Sequence, residues 1–479
     1  MTRGFKSLLI VASPLLLAGC ASMKAPESDP AFNPASVTLP ENFALAGDVA
    51  AQDRSALENL LPVYDPAFAE LRQMGEDNAP TLEAALARIN LARAQAARAG
   101  ANRNPYIGGD GQVTGTRQNP GAFGANLPPG IAIDRYITSF GGNIAASWDP
   151  DIFGQLRAGQ RAAQIRIDAA SADAAAVRQT LVSAIAANVI DWRTVAAREM
   201  TLRDDIKTAQ EFMRLTKTRS RAGLVPGFDA VQAETLAAQA EAQLAPLLAE
   251  RARIIGALVT LTGKPASEVI ASLDKAAMTG AESAKAVPPA PAATPAAMLR
   301  ARPDIAAAEA RLRAADTDIA VAAKERFPKL NLTGTLGLLA FALGDIFSAD
   351  AIVGAVGASV AGPLLDFGRI DAEIDASKAR AKEAFANYRG TVFAALGDAE
   401  TAYGQVASAR EEVTALKRQY ALEADTVYLA GVRYRRGIDD FRGVLNAQRR
   451  LNAVAGNLDL AKGRYDRARI ALWLALGGS

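Results

Sequence analysis

The sequence contains no histidine and a single cysteine, Cys20, among its 479 residues. Without histidine, the Ser-His and Cys-His nucleophile pairs and the usual histidine-containing zinc or iron sites are excluded. A lone cysteine excludes disulfides within the chain, all-cysteine metal sites and dithiol redox pairs. Lysine plus arginine (53) nearly balances aspartate plus glutamate (51), which argues against a nucleic-acid-binding surface. A mechanical or architectural role is therefore expected, with no enzymatic activity, cofactor or metal.

The sequence also lacks long apolar runs, and the run from Leu8 to Leu17 is too short to span a bilayer. It follows a short basic region, an arrangement typical of a secretory signal peptide. Leu17-Ala18-Gly19-Cys20 resembles a bacterial lipobox, which implies cleavage before Cys20 and acylation of that cysteine (as in palmitate-bearing lipoproteins). The alternative is an incidental cysteine near a signal-peptidase site. Acyl chains hold an N-terminus in a membrane, and Ala21, in place of aspartate, favours sorting to the outer membrane.

The two halves of the chain carry the same motifs at a constant offset in the numbering. Ile152-Phe153-Gly154-Gln155-Leu156 recurs as Asp366-Phe367-Gly368-Arg369-Ile370, and the offset between the two glycines is 368 − 154 = 214. Arg221-Ala222-Gly223 recurs as Arg436-Gly437 with the same offset between its glycines. Chance similarity between alanine-rich helices explains the helical patterns but not these matched turns. We therefore predict an internal duplication.

Each half contains a very long helical pattern, from about Gln155 to Arg219 and from Ile370 to Tyr420. Apolar or small residues recur at steps of three and four, and no proline interrupts either run. A helix of roughly 65 residues is about 100 Å long, which indicates a coiled coil or a helical barrel. Gly223 and Gly437 are predicted to end these helices and reverse the chain. Each half thus becomes a helical hairpin.

Alternating patterns predict four strands, two in each half, at residues 107–116, 136–148, 330–338 and 352–360. An apolar face opposite a polar face fits a transmembrane barrel with a polar lumen, but it equally fits a solvent-facing sheet over a core. Four strands leave two open edges, which lipid does not tolerate, and a closed transmembrane barrel needs about eight strands. A membrane location therefore requires an oligomer, and three chains would supply twelve strands.

Several longer motifs, with the lipobox and the duplication, carry a resemblance to a known family. They are Arg302-Pro303-Asp304-Ile305, Trp148-Asp149-Pro150-Asp151-Ile152-Phe153-Gly154, and the run Arg433-Tyr434-Arg435-Arg436-Gly437-Ile438-Asp439-Asp440-Phe441. Together they resemble the outer-membrane factor (TolC/OprM-like) family, and especially its NodT-type efflux lipoproteins. The resemblance implies a mostly α protein with a transmembrane β part. Duplicated long hairpins would form a periplasmic α-barrel, and the strands would join a homotrimeric 12-stranded outer-membrane β-barrel.

The resemblance also implies a function. The protein is expected to be the outer-membrane channel of a tripartite system for multidrug or small-molecule efflux, anchored by lipid and extending into the periplasm. Its expected partners are a periplasmic adaptor protein and an inner-membrane pump of the resistance-nodulation-division class. A conduit for type I protein secretion and a periplasmic coiled-coil scaffold without a pore are the alternatives.

The expected domain organisation follows from the same features. It consists of a signal peptide at 1–19, a tether and equatorial segment at 20–80, a first repeat at 81–285, a Pro-rich linker at 286–298 and a second repeat at 299–479.

In the family, the hairpin tips narrow the tunnel and meet the adaptor. The resemblance places adaptor contacts here at Arg221, Gly223 and Gly437, and a periplasmic gate at Tyr434, Arg436, Asp439, Asp440, Gly443 and Asn446. Acidic residues often ring the constriction at positions matching Gly443 and Asn446, so this chain departs from the family there. Asp439 and Asp440 lie a turn away, and their alternative role is N-capping of the next helix. The basic cluster Arg433, Arg435 and Arg436 either pairs across protomers or forms a solvated helix end.

Overall fold

The computed structural model describes residues 32–46, 57–119, 134–275 and 294–478. Cys20 with the rest of the lipobox lies outside these residues, as does most of the predicted linker. The described residues divide into two compact units. One comprises those within Met1–Ser36, Asn90–Ala169 and Glu309–Asn387, and the other those within Val37–Ile89, Ala170–Ala308 and Tyr388–Ser479.

Helices dominate both halves of the chain. The elements in order are α1 (Pro66–Asn78), α2 (Pro80–Ala101), β1 (Tyr106–Arg117), β2 (Tyr136–Trp148), α3 (Gln155–Arg221), α4 (Gly227–Ala242), α5 (Leu244–Thr262), α6 (Ala266–Lys275), α7 (Pro295–Ala301), α8 (Pro303–Ala323), β3 (Lys329–Ala340), β4 (Ile352–Ala361), α9 (Arg369–Arg435) and α10 (Phe441–Ala475). The predicted fold class is confirmed. Within the described ranges, no helix has both the length and the apolar character needed to cross a bilayer.

The duplication extends to element boundaries and backbone conformation. The long helices α3 and α9 contain 67 residues each. The offset of 214 relates their first residues (369 − 155) and also their last (435 − 221). Every glycine with positive φ in the described residues belongs to a pair with this offset: Gly154 with Gly368, Gly223 with Gly437, and Gly263 with Gly477. The first strands of the two halves are related by a larger offset: the first residues of β1 and β3 differ by 329 − 106 = 223.

A carboxylate starts each long helix, which the sequence reasoning did not predict. The two side-chain oxygens of buried Asp151 accept the backbone N–H groups of Leu156 at 2.9 Å and Arg157 at 2.8 Å. In the second half, Asp366 accepts the N–H of Ile370 at 2.9 Å. These bonds satisfy amides that have no partner within the helix. The bond from Ile370 also lowers the pKa of Asp366.

The returning helix of each hairpin differs between the halves. In the second half α10 is continuous over 35 residues, whereas in the first half the chain breaks at Gln243 into α4 and α5. Pro246 follows the break, and the corresponding residue of α10 is Leu460. Proline lacks the N–H that would bond the preceding turn, and its ring displaces that turn's carbonyl.

Arg302-Pro303-Asp304-Ile305 opens α8 as predicted, with proline at the first helical position. The Arg302 guanidinium donates to Asp304 at 2.7 Å and to the carbonyl of Ala475 at 3.0 Å, while Ile305 is buried. The motif therefore holds the start of α8 against the end of α10.

The four strands form one antiparallel sheet in the order β1-β2-β3-β4. The predicted strand positions are confirmed to within two residues. The cross-strand register places most large apolar side chains on one face: Ile107, Val113, Tyr136, Phe140, Ile144, Trp148, Leu330, Leu332, Leu336, Leu338, Ile352, Val356 and Val360. The other face carries Asp110, Gln112, Thr114, Thr116, Ser139, Asn143, Ser147, Asn331, Thr333, Thr335 and Ser359. The alternation read from the sequence is thus a property of the whole sheet.

The described N-terminal residues 32–46 run against α9. In the first unit Phe32 packs on Phe385, with ring centroids 6.1 Å apart. In the second unit Phe43 is buried against Tyr403, and the Glu400 carboxylate accepts the backbone N–H groups of residues 44 and 45 at 2.7 and 2.8 Å. These contacts hold the chain ahead of α1 against α9 within each unit.

Candidate functional site at the hairpin tips

Two glycine turns form the tips of the hairpins. Gly223 follows α3 with φ of 70°, and Gly437 follows α9 with φ of 69°. The N–H of Leu224 donates to the carbonyl of Arg219 at 2.9 Å, and Ile438 makes the matching bond to Arg433 at 3.0 Å. This bonding is that of a Schellman cap, which satisfies the last carbonyls of a helix. The predicted reversals at Gly223 and Gly437 are confirmed.

Each turn presents an apolar side chain to solvent. Leu224 is 69% exposed and Ile438 is 61% exposed, and they occupy equivalent positions of the two halves. Arg221 is also exposed beside the first turn. The tips therefore combine rigid backbone caps with accessible apolar and basic side chains, which suits contact with another protein.

Tyr434 links the two hairpins. Its hydroxyl accepts a hydrogen bond from Arg219 Nη1 at 2.6 Å, and the guanidinium carbon lies 6.0 Å from the centre of the ring. Arg219 belongs to α3 and Tyr434 to α9, so this contact ties the end of one long helix to the end of the other. The sequence suggested Tyr434 as a site residue but gave no partner for it.

The neighbouring aspartates have separate structural roles. Asp440 is the N-cap of α10, and its side chain accepts the N–H of Gly443 at 3.3 Å. Asp439 accepts a hydrogen bond from Arg433 Nε at 2.9 Å within the same chain. The capping alternative therefore describes Asp440. Arg433 thus has a partner inside its own chain, in addition to the two roles suggested for the basic cluster, pairing across protomers or a solvated helix end; Arg436 is exposed.

A second link between the hairpins was missed by the sequence reasoning. Arg442 at the start of α10 forms an ion pair with Asp229 at the start of α4, and the side chain of Asp229 is only 18% exposed. This hydrogen bond raises the pKa of the Arg442 guanidinium. Asp229 is the duplicate of Gly443, one of the two positions where the family's acidic residues were expected. A comparison of the two halves would have identified Asp229 as a site residue, although not its pairing with Arg442.

The tips are basic as a whole. Residues 219–229 and 433–446 contain six arginines and three aspartates. Asp229 and Asp439 are each paired with an arginine. Asn446 is exposed on α10 and Gly443 is half-buried, so neither position adds charge. Arginine and hydrogen-bonded aspartate pairs, rather than free carboxylates, define the electrostatics of this site.

The chain belongs to the outer membrane efflux protein family. The family's sequence profile matches residues 71–264 and 294–478, which include both hairpins and all four strands. This match confirms the predicted family and the predicted function as an outer-membrane efflux channel.

Known proteins resemble the chain along its whole length. The pyoverdine export outer membrane protein OpmQ of Pseudomonas aeruginosa is 29% identical over 99% of this chain and 97% of its own. Nodulation protein T of Rhizobium leguminosarum bv. trifolii is 25% identical over 97% of this chain and 95% of its own. The structure of the outer-membrane channel OprN, 24% identical, superimposes with a TM-score of 0.80 and covers 96% of this chain and 98% of OprN.

Proposed function

We propose that this protein is the outer-membrane channel of a tripartite efflux system and exports small molecules delivered by an inner-membrane pump. The observation that carries the proposal is the presence in one chain of two 67-residue helices and a sheet that has one apolar and one polar face. An apolar face suits lipid and a polar face suits a water-filled passage. The relative OpmQ is a pyoverdine export protein, which supports transport as the shared activity.

The channel is a homotrimer in this proposal. Strands β1 and β4 lie at the edges of the described sheet, and unpaired edges are not tolerated in lipid. Three copies supply the twelve strands of a closed barrel. The exposed side chains around Arg221, Gly223 and Gly437 are the contact surface for a periplasmic adaptor, which connects the channel to a pump of the resistance-nodulation-division class.

The contacts at the tips form the gate. Arg219 with Tyr434 and Arg442 with Asp229 join the two hairpins of one chain, and Asp439 with Arg433 braces the second turn. Arg436, Gly443 and Asn446 complete this gate region. Adaptor binding favours an open arrangement in which the links are broken, which shifts the population toward a conducting tunnel.

Acylated Cys20 anchors the N-terminus in the outer membrane. The mass of the intact mature protein should include two or three acyl chains, and the Cys20→Ser variant should lack them.

Conductance in planar bilayers tests the channel and its gate. Purified full-length protein should conduct ions. Tyr434→Phe combined with Arg442→Gln should raise the single-channel conductance, because the hydrogen bond from Arg219 and the ion pair with Asp229 are both lost. Arg464→Gln is the matched control, since it breaks the pair with Glu412 between α9 and α10 outside the tips.

Equal conductance of the gate variant and wild type, with both trimeric, would contradict the gate. Trimers that never conduct would contradict the channel. In a strain lacking the protein, hypersensitivity to small toxic compounds supports efflux, whereas loss of one secreted protein would support protein secretion instead.

A further inference from the structure

The internal duplication contains a template for the contact between two copies of this chain. In the described sheet, β2 of the first half pairs with β3 of the second half, whereas β1 and β4 lie at the two edges. If the halves are structurally equivalent, the junction of β2 with β3 inside one chain is repeated by β4 and the β1 strand of a neighbour. This inference rests on the homotrimer proposed above.

The registers of the two strand hairpins show that the halves are equivalent residue by residue. Adding 223 to the residue numbers of β1 and 214 to those of β2 converts each β1–β2 pair into a β3–β4 pair. Tyr106 opposite Ser147 becomes Lys329 opposite Ala361, and both pairs are present. The correspondence therefore preserves the pairing partner and the face of every residue in the shared part of the strands.

The same correspondence converts the β2–β3 register into a register between chains. Ile144 lies opposite Leu336. Their counterparts are Ala358 in β4 and Val113 in β1. We propose that β4 of one protomer pairs antiparallel with β1 of its neighbour, with Ala358 opposite the neighbour's Val113.

This register keeps both faces of the sheet continuous across the junction. Ala358 and Val113 both belong to the apolar face, and in the single chain Val113 is 68% exposed and Val356 is 93% exposed. A shift by one residue would place the apolar residues of one strand beside the polar residues of the other. The chemistry of the edges thus fits a second copy of this chain.

The segment after β4 points to the same neighbour. After β2, Phe153 stacks on Phe327 with ring centroids 4.8 Å apart and an interplanar angle of 12°. Its counterpart Phe367 is 90% exposed, with φ of 53°. The residue that corresponds to Phe327 in the first half is Asn104. Phe367 therefore lies against the neighbour's Asn104 in the assembled protein, which covers an aromatic ring that the single chain leaves in solvent.

Cysteine pairs in the full-length protein test the register. Val113→Cys with Ala358→Cys should form a disulfide on mild oxidation, because directly opposite Cα atoms lie about 4.5–5.5 Å apart. Within one chain these strands are three strand spacings, roughly 14 Å, apart, so the bond joins two chains. The expected result is a covalent ladder that ends at a trimer on a non-reducing gel.

The matched control is Val113→Cys with Gly354→Cys, displaced by four residues or about 13 Å along the same face. It should give no more covalent dimer than the single-cysteine variants. Thr116→Cys with Ala355→Cys, on the polar face, is a second pair that the register places opposite each other. It provides the test if the variant with Val113→Cys and Ala358→Cys does not form trimers.

Three outcomes would overturn the proposal. Faster bonding of residue 113 to residue 356 or 360 would establish a different register, and a disulfide within one chain would exclude the neighbour. Conducting trimers in which neither predicted pair forms a bond would contradict the register but leave the proposed function standing. A monomer without channel activity would contradict both.

Discussion

Substitutions of Asp151 separate two effects that act at the start of α3. The side chain is 7% exposed and accepts two backbone N–H groups of the first turn, while its own φ is 53°. Loss of a helix cap costs about 1 kcal/mol. Alanine in the left-handed region costs about 1–2 kcal/mol more, whereas glycine adopts it freely. The wild-type aspartate also carries part of this backbone cost, which glycine relieves. We therefore expect destabilisation by at most about 1 kcal/mol for Asp151→Gly and by about 1–2 kcal/mol more for Asp151→Ala.

Asparagine should be tolerated best, because it tolerates positive φ and retains one acceptor oxygen. The assay is guanidinium unfolding of the detergent-solubilised protein, followed by far-ultraviolet circular dichroism. Ile152→Ala is the control, since this neighbouring side chain is 59% exposed and such changes usually stay within about 0.5 kcal/mol. Equal midpoints for the glycine and alanine variants would refute the backbone argument. An alanine variant as stable as wild type would refute the capping argument.

Three other predictions concern buried charge, backbone geometry and pH. Glu199→Ala should destabilise the protein by about 1.5–3 kcal/mol in the same unfolding assay, because the Glu199 side chain is 7% exposed and pairs with Arg251 at 3.0 Å and with Arg203 at 2.5 Å; a loss below about 0.5 kcal/mol would contradict this. Gly263→Ala should cost clearly more than Gly223→Ala. Both glycines have positive φ, but a Cβ at Gly263 would lie 2.5 Å from a backbone carbonyl oxygen, while Gly223 has open space around it; equal losses would refute the steric argument. Finally, burial raises the pKa of Asp191 above its ordinary value of 3.8, against the opposing effect of nearby arginines. The folded state then binds its proton more tightly than the unfolded state, so that the contribution of this group to stability falls as pH rises from about 4 through the raised pKa. The stability of Asp191→Asn relative to wild type, measured by denaturation midpoints, should therefore increase as the pH is raised over that range. A difference that does not change with pH would contradict the raised pKa of Asp191.

Local patterns were sufficient to predict the long helices, the glycine turns that end them and the four strands. The long helices follow from uninterrupted apolar spacing without proline, and their ends follow from Gly223 and Gly437, where only a residue tolerant of positive φ fits without strain. The strands follow from their alternation, because one face is apolar and the other polar. The break at Gln243 was not predicted, although Pro246 signalled it.

The contacts of the tips were not predictable in the same way. Arg219 and Tyr434 are 215 residues apart in the chain, and Arg442 and Asp229 are 213 apart. Periodicity within a helix carries no information about which residue of another helix lies opposite. The sequence indicated where the tips are and which charges they contain, but the pairing depends on how the two hairpins pack.

The equal length of α3 and α9 limits how this chain can vary. Inserting one residue into a helix lengthens it by about 1.5 Å and turns everything beyond the insertion by about 100°. A single insertion in either 67-residue helix would therefore carry Arg219 of α3 or Tyr434 of α9 away from the other. The two halves do differ in the connection between their paired strands, which runs over residues 118–135 in the first half and 341–351 in the second. The equal lengths of α3 and α9 therefore keep the contacts at the tips in register, a constraint that does not apply to the connections between the strands.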